Sequence, residues 1–189
     1  MVAPRFDVSE SNRVTAARLT RADGESLRYR LDVVAISAVD VVQSAGGWLY
    51  DRVMAGWEVT VLLPDRCDTQ SLRILGVGVD LQSVFDGAGS TSQSLAGSAE
   101  AFTADARVRD AVLKSLDNRL TEVALWGDEW PLVVDRAMTR AQHVLSAAAR
   151  AFKGYALAAA GIPCATVDPT ETLLCDAYAR VDSQLIRLD

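Results

Sequence analysis

Lysine, histidine and long apolar runs are what this sequence has least of. Only Lys114 and Lys153 are lysines, His143 is the one histidine, and the three cysteines, Cys67, Cys164 and Cys175, show no Cys-x-x-Cys spacing. That leaves too few soft donors for a standard tetrahedral zinc site, and no metal or cofactor is expected. The odd number of thiols reads as free, mostly buried cysteines, and no local signature supports a cysteine nucleophile with His143 as its base. No apolar run approaches the ~18 residues that a membrane span needs, and the start has no charged segment followed by an apolar one; a cytoplasmic protein without membrane contact is expected. Internal repeats are missing, as are a P-loop, a Gly-x-Ser-x-Gly elbow, a His-Glu-x-x-His helix and a triad in recognisable order.

What is present is acidic and apolar. A formal charge of −6 and a pI near 4.8 argue against general affinity for nucleic acid, which wants a basic surface. Arginine in place of lysine, with abundant Ala, Val and Asp, is the bias of a GC-rich bacterial genome. The 189 residues, 50% hydrophobic, suffice for one good core.

The chain is organised around Asp40 to Pro64, DVVQSAGGWLYDRVMAGWEVTVLLP. At about 100° per residue, Val41, Val42, Ala45, Trp48, Leu49, Val53 and Trp57 share one side, against Asp40, Gln43, Ser44, Tyr50 and Asp51. Gly46 and Gly56 fall on the apolar side, where a missing Cβ allows close approach of a sheet. Arg52 points the same way and requires an acceptor, because an unpaired buried charge is costly. Glu58 to Leu63 then reads as a buried strand ended by Pro64, with Asp65 and Arg66 placed where a ligand crevice at the strand's carboxyl end would lie.

The rest divides by composition. Residues 1–12 read as a mobile tail. From Arg13, two arms flanking RADGE read as a β-hairpin whose second strand runs to about Ser37. Leu72 to Val79 is a further strand beside the 58–63 strand, with Gly76 and Gly78 as a bulge or strand end. Residues 87–104, small and polar, read as a flexible linker or mobile loop. The 105–121 segment is helical with Asp105 as N-cap. VALWGDEWP then delivers Trp126, Asp128, Glu129 and Trp130 within five residues: either an acid/base pair beside a stacking platform, as sugar and base sites need, or a helix-entry loop. From Leu132 to Ala160, Val134, Met138, Ala141, Leu145, Ala148, Phe152, Tyr155 and Ala159 recur as a heptad seam, with Arg136, Arg140, His143, Arg150 and Lys153 as a basic stripe away from it. Asp168-Pro169-Thr170-Glu171 opens a last helix, and the apolar tail from Leu185 docks.

The fold class expected is α/β, with α+β as the variant: a small mixed sheet of about four to five strands around a central amphipathic helix. It comprises an α/β part at 13–86, the 87–104 segment, and a helical half at 105–189. The leading functional expectation is a non-catalytic cytosolic protein, regulatory or scaffolding, that pairs with itself as a homodimer or with a protein partner along 134–159, through Leu145, Phe152 and Tyr155. The alternative is an enzyme or small-ligand sensor with Asp65, Arg66, Asp128 and Glu129, flanked by Trp126 and Trp130, around a polar pocket at the strands' carboxyl ends. Nucleic-acid binding through the basic stripe comes third.

Overall fold

The computed structural model describes residues 29–65, 67–81, 94–118, 121–176 and 185–188. Along these residues run β1 (Arg30–Val34), α1 (Ala38–Met54), β2 (Glu58–Leu63), α2 (Gln70–Ile74), β3 (Gly78–Leu81), β4 (Ser94–Ser98), α3 (Ala99–Ala104), α4 (Ala106–Asn118), β5 (Glu122–Trp126), α5 (Leu132–Asp135), β6 (Met138–Val144), α6 (Ala147–Ala159), β7 (Thr170–Asp176) and β8 (Leu185–Arg187). The strands form one sheet in the order β3-β2-β1-β4-β5-β7-β6-β8. The first five are parallel, and β7, β6 and β8 each run antiparallel to the neighbour before them. The α/β class holds, with eight strands in place of the expected four to five.

Two cores explain the sequence's period-two strands. Leu31 and Val33 of β1, with Ala124 and Trp126 of β5, join α1, α2 and α6 on one face of the sheet. Val34, Val123 and Leu125 turn to the other face, under α3, α4 and α5. Burial on both faces is what an open parallel sheet requires.

The stretch from Asp40 to Pro64 folds as its pattern dictates. Ser37 caps α1, its hydroxyl accepting from the Asp40 N–H, and Val41, Val42, Ala45, Trp48 and Leu49 are buried. Arg52 finds its acceptor in Glu122 at the start of β5, with Nη2 2.8 Å from Oε1 and Nη1 3.4 Å from Oε2. Its guanidinium carbon lies 5.1 Å from the Trp48 ring and 4.1 Å from the Trp57 ring, a cation held between two indole faces. Gly46 is a close approach as expected, but to Leu75, whose Cδ1 would lie 3.3 Å from an added Cβ; at Gly47 a Cβ would collide with Leu145. Gly56 instead ends the helix, at φ +93.

Elsewhere the structure departs from the sequence reading. The tail at 1–12 and the first hairpin arm lie outside the described residues. Over residues 31–34 both edges of β1 are taken by parallel neighbours, β2 and β4, so no antiparallel hairpin partner fits there. Within 72–79 the chain first completes α2 and turns at Gly76, φ +76, before β3 pairs with β2 as expected. The expected linker contains β4, buried along its whole length at the centre of the sheet, and α3. Small residues there are buried between strands, and a Cβ at Gly97 would meet the Val34 carbonyl at 3.6 Å and Leu125 at 3.8 Å.

The expected helical half contributes four strands. The helix read over 132–160 is α5, β6 and α6 in succession. Residues 138–144 have helix-forming composition, but β6 pairs with β7 through seven registers, and pairing overrides so weak a propensity. One local signal marked the break: Ser146 caps α6, accepting from the Ala149 N–H at 3.0 Å. The last helix is likewise β7, where Glu171, Leu173 and Cys175 alternate inward. Here Asp168-Pro169 makes the turn into a strand, and the Pro169 carbonyl accepts from the Leu145 N–H.

Candidate functional site

In a doubly wound sheet, the crevice for a ligand opens beyond the carboxyl ends of the strands, where the order reverses. Here that point lies between β1 and β4: α1 leaves β1 towards one face and α3 leaves β4 towards the other. A crevice of about 690 Å³ opens there, lined by Ile36, Asp40, Ser98, Glu100, Trp126, Asp128 and Glu129 among others.

Asp40 is the anchored group. It sits in the first turn of α1, where the unsatisfied N–H groups favour an acid. Its Oδ2 accepts from the Trp126 indole N–H at 2.8 Å and its Oδ1 from the Ser44 hydroxyl at 3.1 Å. Two elements thus fix one carboxylate, α1 through Ser44 and β5 through Trp126, while Ser37 holds the Asp40 backbone N–H. The loop after β5 closes the crevice. Gly127, at φ +95, lets that loop meet Ala99 of α3, and Glu129 holds φ +64, a left-handed conformation that costs a non-glycine residue roughly 1–2 kcal/mol.

Of the residues singled out from sequence, Trp126, Asp128 and Glu129 therefore converge. Asp65 is exposed after β2 and is not among the residues lining this crevice, and Arg66 lies outside the described residues. The stacking platform does not form: Trp126 is buried, its N–H donating to Asp40, and Trp130 packs its ring against Phe102 at 5.1 Å while its N–H meets the Gly127 carbonyl at 3.2 Å. Asp40 and Ser37 went unnoticed as site residues. Their signal was Ser-x-x-Asp at the junction of a buried strand and the first helix.

A second cavity of about 430 Å³ adjoins the first and shares Trp126 and Gly127 with it. Lys153 and Glu171 line it, 7% and 4% exposed, joined Nζ to Oε1 at 2.5 Å. Lys153 also donates to the Gln43 carbonyl at 2.6 Å, and Glu171 accepts from the N–H groups of Gly47 and Trp48, both at 2.8 Å. In a regular helix the Gly47 N–H and the Gln43 carbonyl are each other's partners, so the ion pair grips α1 at one rung of its ladder.

The other expected surfaces are altered. His143 and Lys153 are buried, so the basic stripe does not exist as one face. His143 Nε2 lies 2.8 Å from Asp51, which also accepts from the Ser146 N–H. Leu145 is buried over Gly47, whereas Phe152 stacks on Tyr50 at 4.8 Å and Tyr155 meets its edge.

Among the described residues no three His, Cys, Asp or Glu side chains are grouped to hold a metal ion. Among the described residues the crevice offers carboxylates as its charged donors, and the histidine is committed to Asp51, about 16 Å along α1 from Asp40 at 1.5 Å per residue. That donor set does not fit zinc, which prefers nitrogen and sulfur. Nor are the cysteines grouped. Burial and the Glu122 charge push the Cys175 thiol up to about 12. At pH 8 it is therefore protonated, and a thiol reagent is expected to label exposed Cys164 in the native protein but Cys175 only after denaturation; rapid native labelling of Cys175, read by peptide mass, would contradict this burial.

No family model matches the sequence, and no curated protein matches it. Solved structures match in fold. The crystal structure of the A40926 pseudoaglycone deacetylase aligns with a TM-score of 0.52 at 16% identity, covering 81% of this chain and 99% of that one. A deacetylase–teicoplanin complex aligns at 0.50 and 14% identity, and a zinc-inhibited teicoplanin deacetylase at 0.50 and 12%, each covering 85% of this chain and 99% of the other. At such identities the likeness is one of fold. It nevertheless overturns the leading expectation of a non-catalytic regulatory or scaffolding protein: the chain carries an architecture used by deacetylases, and the continuous helix on which the interaction reading stood is absent.

Proposed function

We propose that the chain is an enzyme that hydrolyses an acyl–amine bond in a small polar substrate, bound in the crevice at the carboxyl ends of β1, β4 and β5. The observation that carries this reading is the Asp40 carboxylate, held by Trp126 and Ser44 in the crevice wall at the sheet's reversal point. The fold shared with antibiotic deacetylases supports the reaction class.

The chemistry asks for a base to deprotonate water, a path for that water to the acyl carbon, and a proton for the departing amine. Asp40 serves as the base, and its two hydrogen bonds keep the carboxylate in one orientation, so little of its freedom has to be lost when the substrate binds. Asp40 then passes the proton taken from water to the leaving nitrogen, and Asp128 and Glu129, which line the same crevice on the loop after β5, attract an amine substrate by their charge. Ser98 caps α3 through the Ala101 N–H and fixes the opposite wall.

Asp40→Asn keeps the size of this side chain and one oxygen to accept from the Trp126 N–H, but removes the base. The expected result is a fall in kcat of about 10²–10⁴-fold with an unchanged melting temperature, the usual contribution of a positioned acid or base. The measurement is acetate release from a panel of N-acetylated amines. Activity equal to wild type in Asp40→Asn would remove Asp40 from the role, and no release from any acylated amine, amide or ester by the wild type would sink the reading itself.

A further inference from the structure

We infer that the two adjoining cavities form one bipartite cleft, whose occupant is an elongated, positively charged acylated amine. This rests on the hydrolytic reading for which end lies at Asp40, but not on turnover for its test. The cavities meet at Trp126 and Gly127, which line both. They are also joined through hydrogen bonds: Ser44 lines the second cavity and donates to Asp40, which lines the first. One helical turn, about 6 Å, separates Asp40 from Ser44, so a ligand with its acyl carbon at Asp40 reaches the second cavity only if a chain of several atoms follows its amide nitrogen.

The charge on the walls selects that chain. Among the described residues lining the first cavity, the ionisable groups are Asp40, Glu100, Asp128 and Glu129, with no Lys, Arg or His. The second adds Asp168, while Lys153 and Glu171 neutralise each other as a buried pair. A cleft lined with one sign of charge concentrates ligands of the other sign and repels anions. The remaining lining of the second cavity mixes hydroxyls, at Thr166 and Thr170, with apolar carbon, at Leu157 and Val167, which suits methylene segments between ammonium groups.

Exposed Cys164 lines the second cavity and reports on its occupation. The experiment measures iodoacetamide alkylation of Cys164 in the full wild-type chain, by peptide mass, with three probes. These are monoacetylspermine, long and cationic; N-acetylethylenediamine, short; and an acetamide-terminated tri(ethylene glycol), long and neutral. At ten times its Kd, monoacetylspermine is expected to slow alkylation about ten-fold, because the rate follows the unoccupied fraction. The short probe should leave the rate unchanged, and Asp168→Asn should weaken the protection. Protection by monoacetylspermine that disappears in 1 M salt also supports the inference. Equal protection by the neutral probe would overturn the charge preference, and equal protection by the short probe, or none by any, would overturn the bipartite cleft. Hydrolysis without protection of Cys164 would leave the proposed reaction standing and remove only this extension of it, whereas protection without hydrolysis would do the reverse.

Discussion

Arg52→Ala is expected to destabilise the fold by about 3–5 kcal/mol, the usual cost of removing one partner of a buried ion pair. The guanidinium is fully buried, bound to Glu122 through both terminal nitrogens, and enclosed by Trp48 and Trp57. Its loss leaves a cavity between two indoles and a carboxylate at the start of β5 with the Ser94 hydroxyl as a remaining donor. Arg52→Lys keeps the charge but cannot form the two-pronged contact or cover both rings, so it should recover only part of the loss. The surface pair Arg30–Glu58, at 3.9 Å with side chains 44% and 52% exposed, is the internal contrast: breaking it should cost less than about 1 kcal/mol. Urea denaturation of the three variants decides the matter, and equal midpoints for Arg52→Ala and wild type would show that Arg52 does not tie α1 to β5.

Lys153→Met should cost a similar amount, roughly 3–5 kcal/mol, by leaving the Glu171 carboxylate buried without its cation. The two N–H donors from Gly47 and Trp48 soften the loss but do not neutralise the charge. The paired variant, Lys153→Met with Glu171→Met, tests the cause. It removes both charges, and the Gly47 N–H and Gln43 carbonyl are left with one another as ordinary helix partners. The double variant is therefore expected to be more stable than Lys153→Met alone, a sign of coupling that a double-mutant cycle reads directly. A single variant within about 0.5 kcal/mol of wild type would mean that the ion pair contributes nothing to holding α1.

These two anchors differ in how far the sequence revealed them. Arg52 falls on the apolar side of its helix, and the demand for an acceptor follows from the cost of burying an unpaired charge; the pattern could not say that the acceptor would be Glu122, seventy residues on. Lys153 and Glu171 read the other way, as a surface stripe and a helix opening: Lys153 does lie in a helix, α6, but on its buried side, and Glu171 lies in β7. The long-helix reading that misplaced the stripe has a physical source. Residues 132–160 contain apolar side chains at intervals of three and four, and such intervals can also be met by an edge of strand followed by a short helix when the two happen to be in phase. Intrinsic propensity favoured the helix; pairing with β7 decided for the strand.

By itself, then, the sequence determined the class of fold, the succession of α1 and β2 with its buried aromatic face, the helix α4, and the closeness in sequence of Trp126, Asp128 and Glu129. Each of these is a local pattern, repeated within one element and read at its own period. Tertiary structure alone decided that 94–98 is a central strand, that 138–144 and 170–176 are paired with each other, and that Asp40 of the first helix and Trp126 of the fifth strand share a hydrogen bond across 86 residues of chain. Such contacts carry no local signature, since strand pairing and site assembly depend on which distant backbone edge and which distant side chain fill the space, and a single chain of letters records neither.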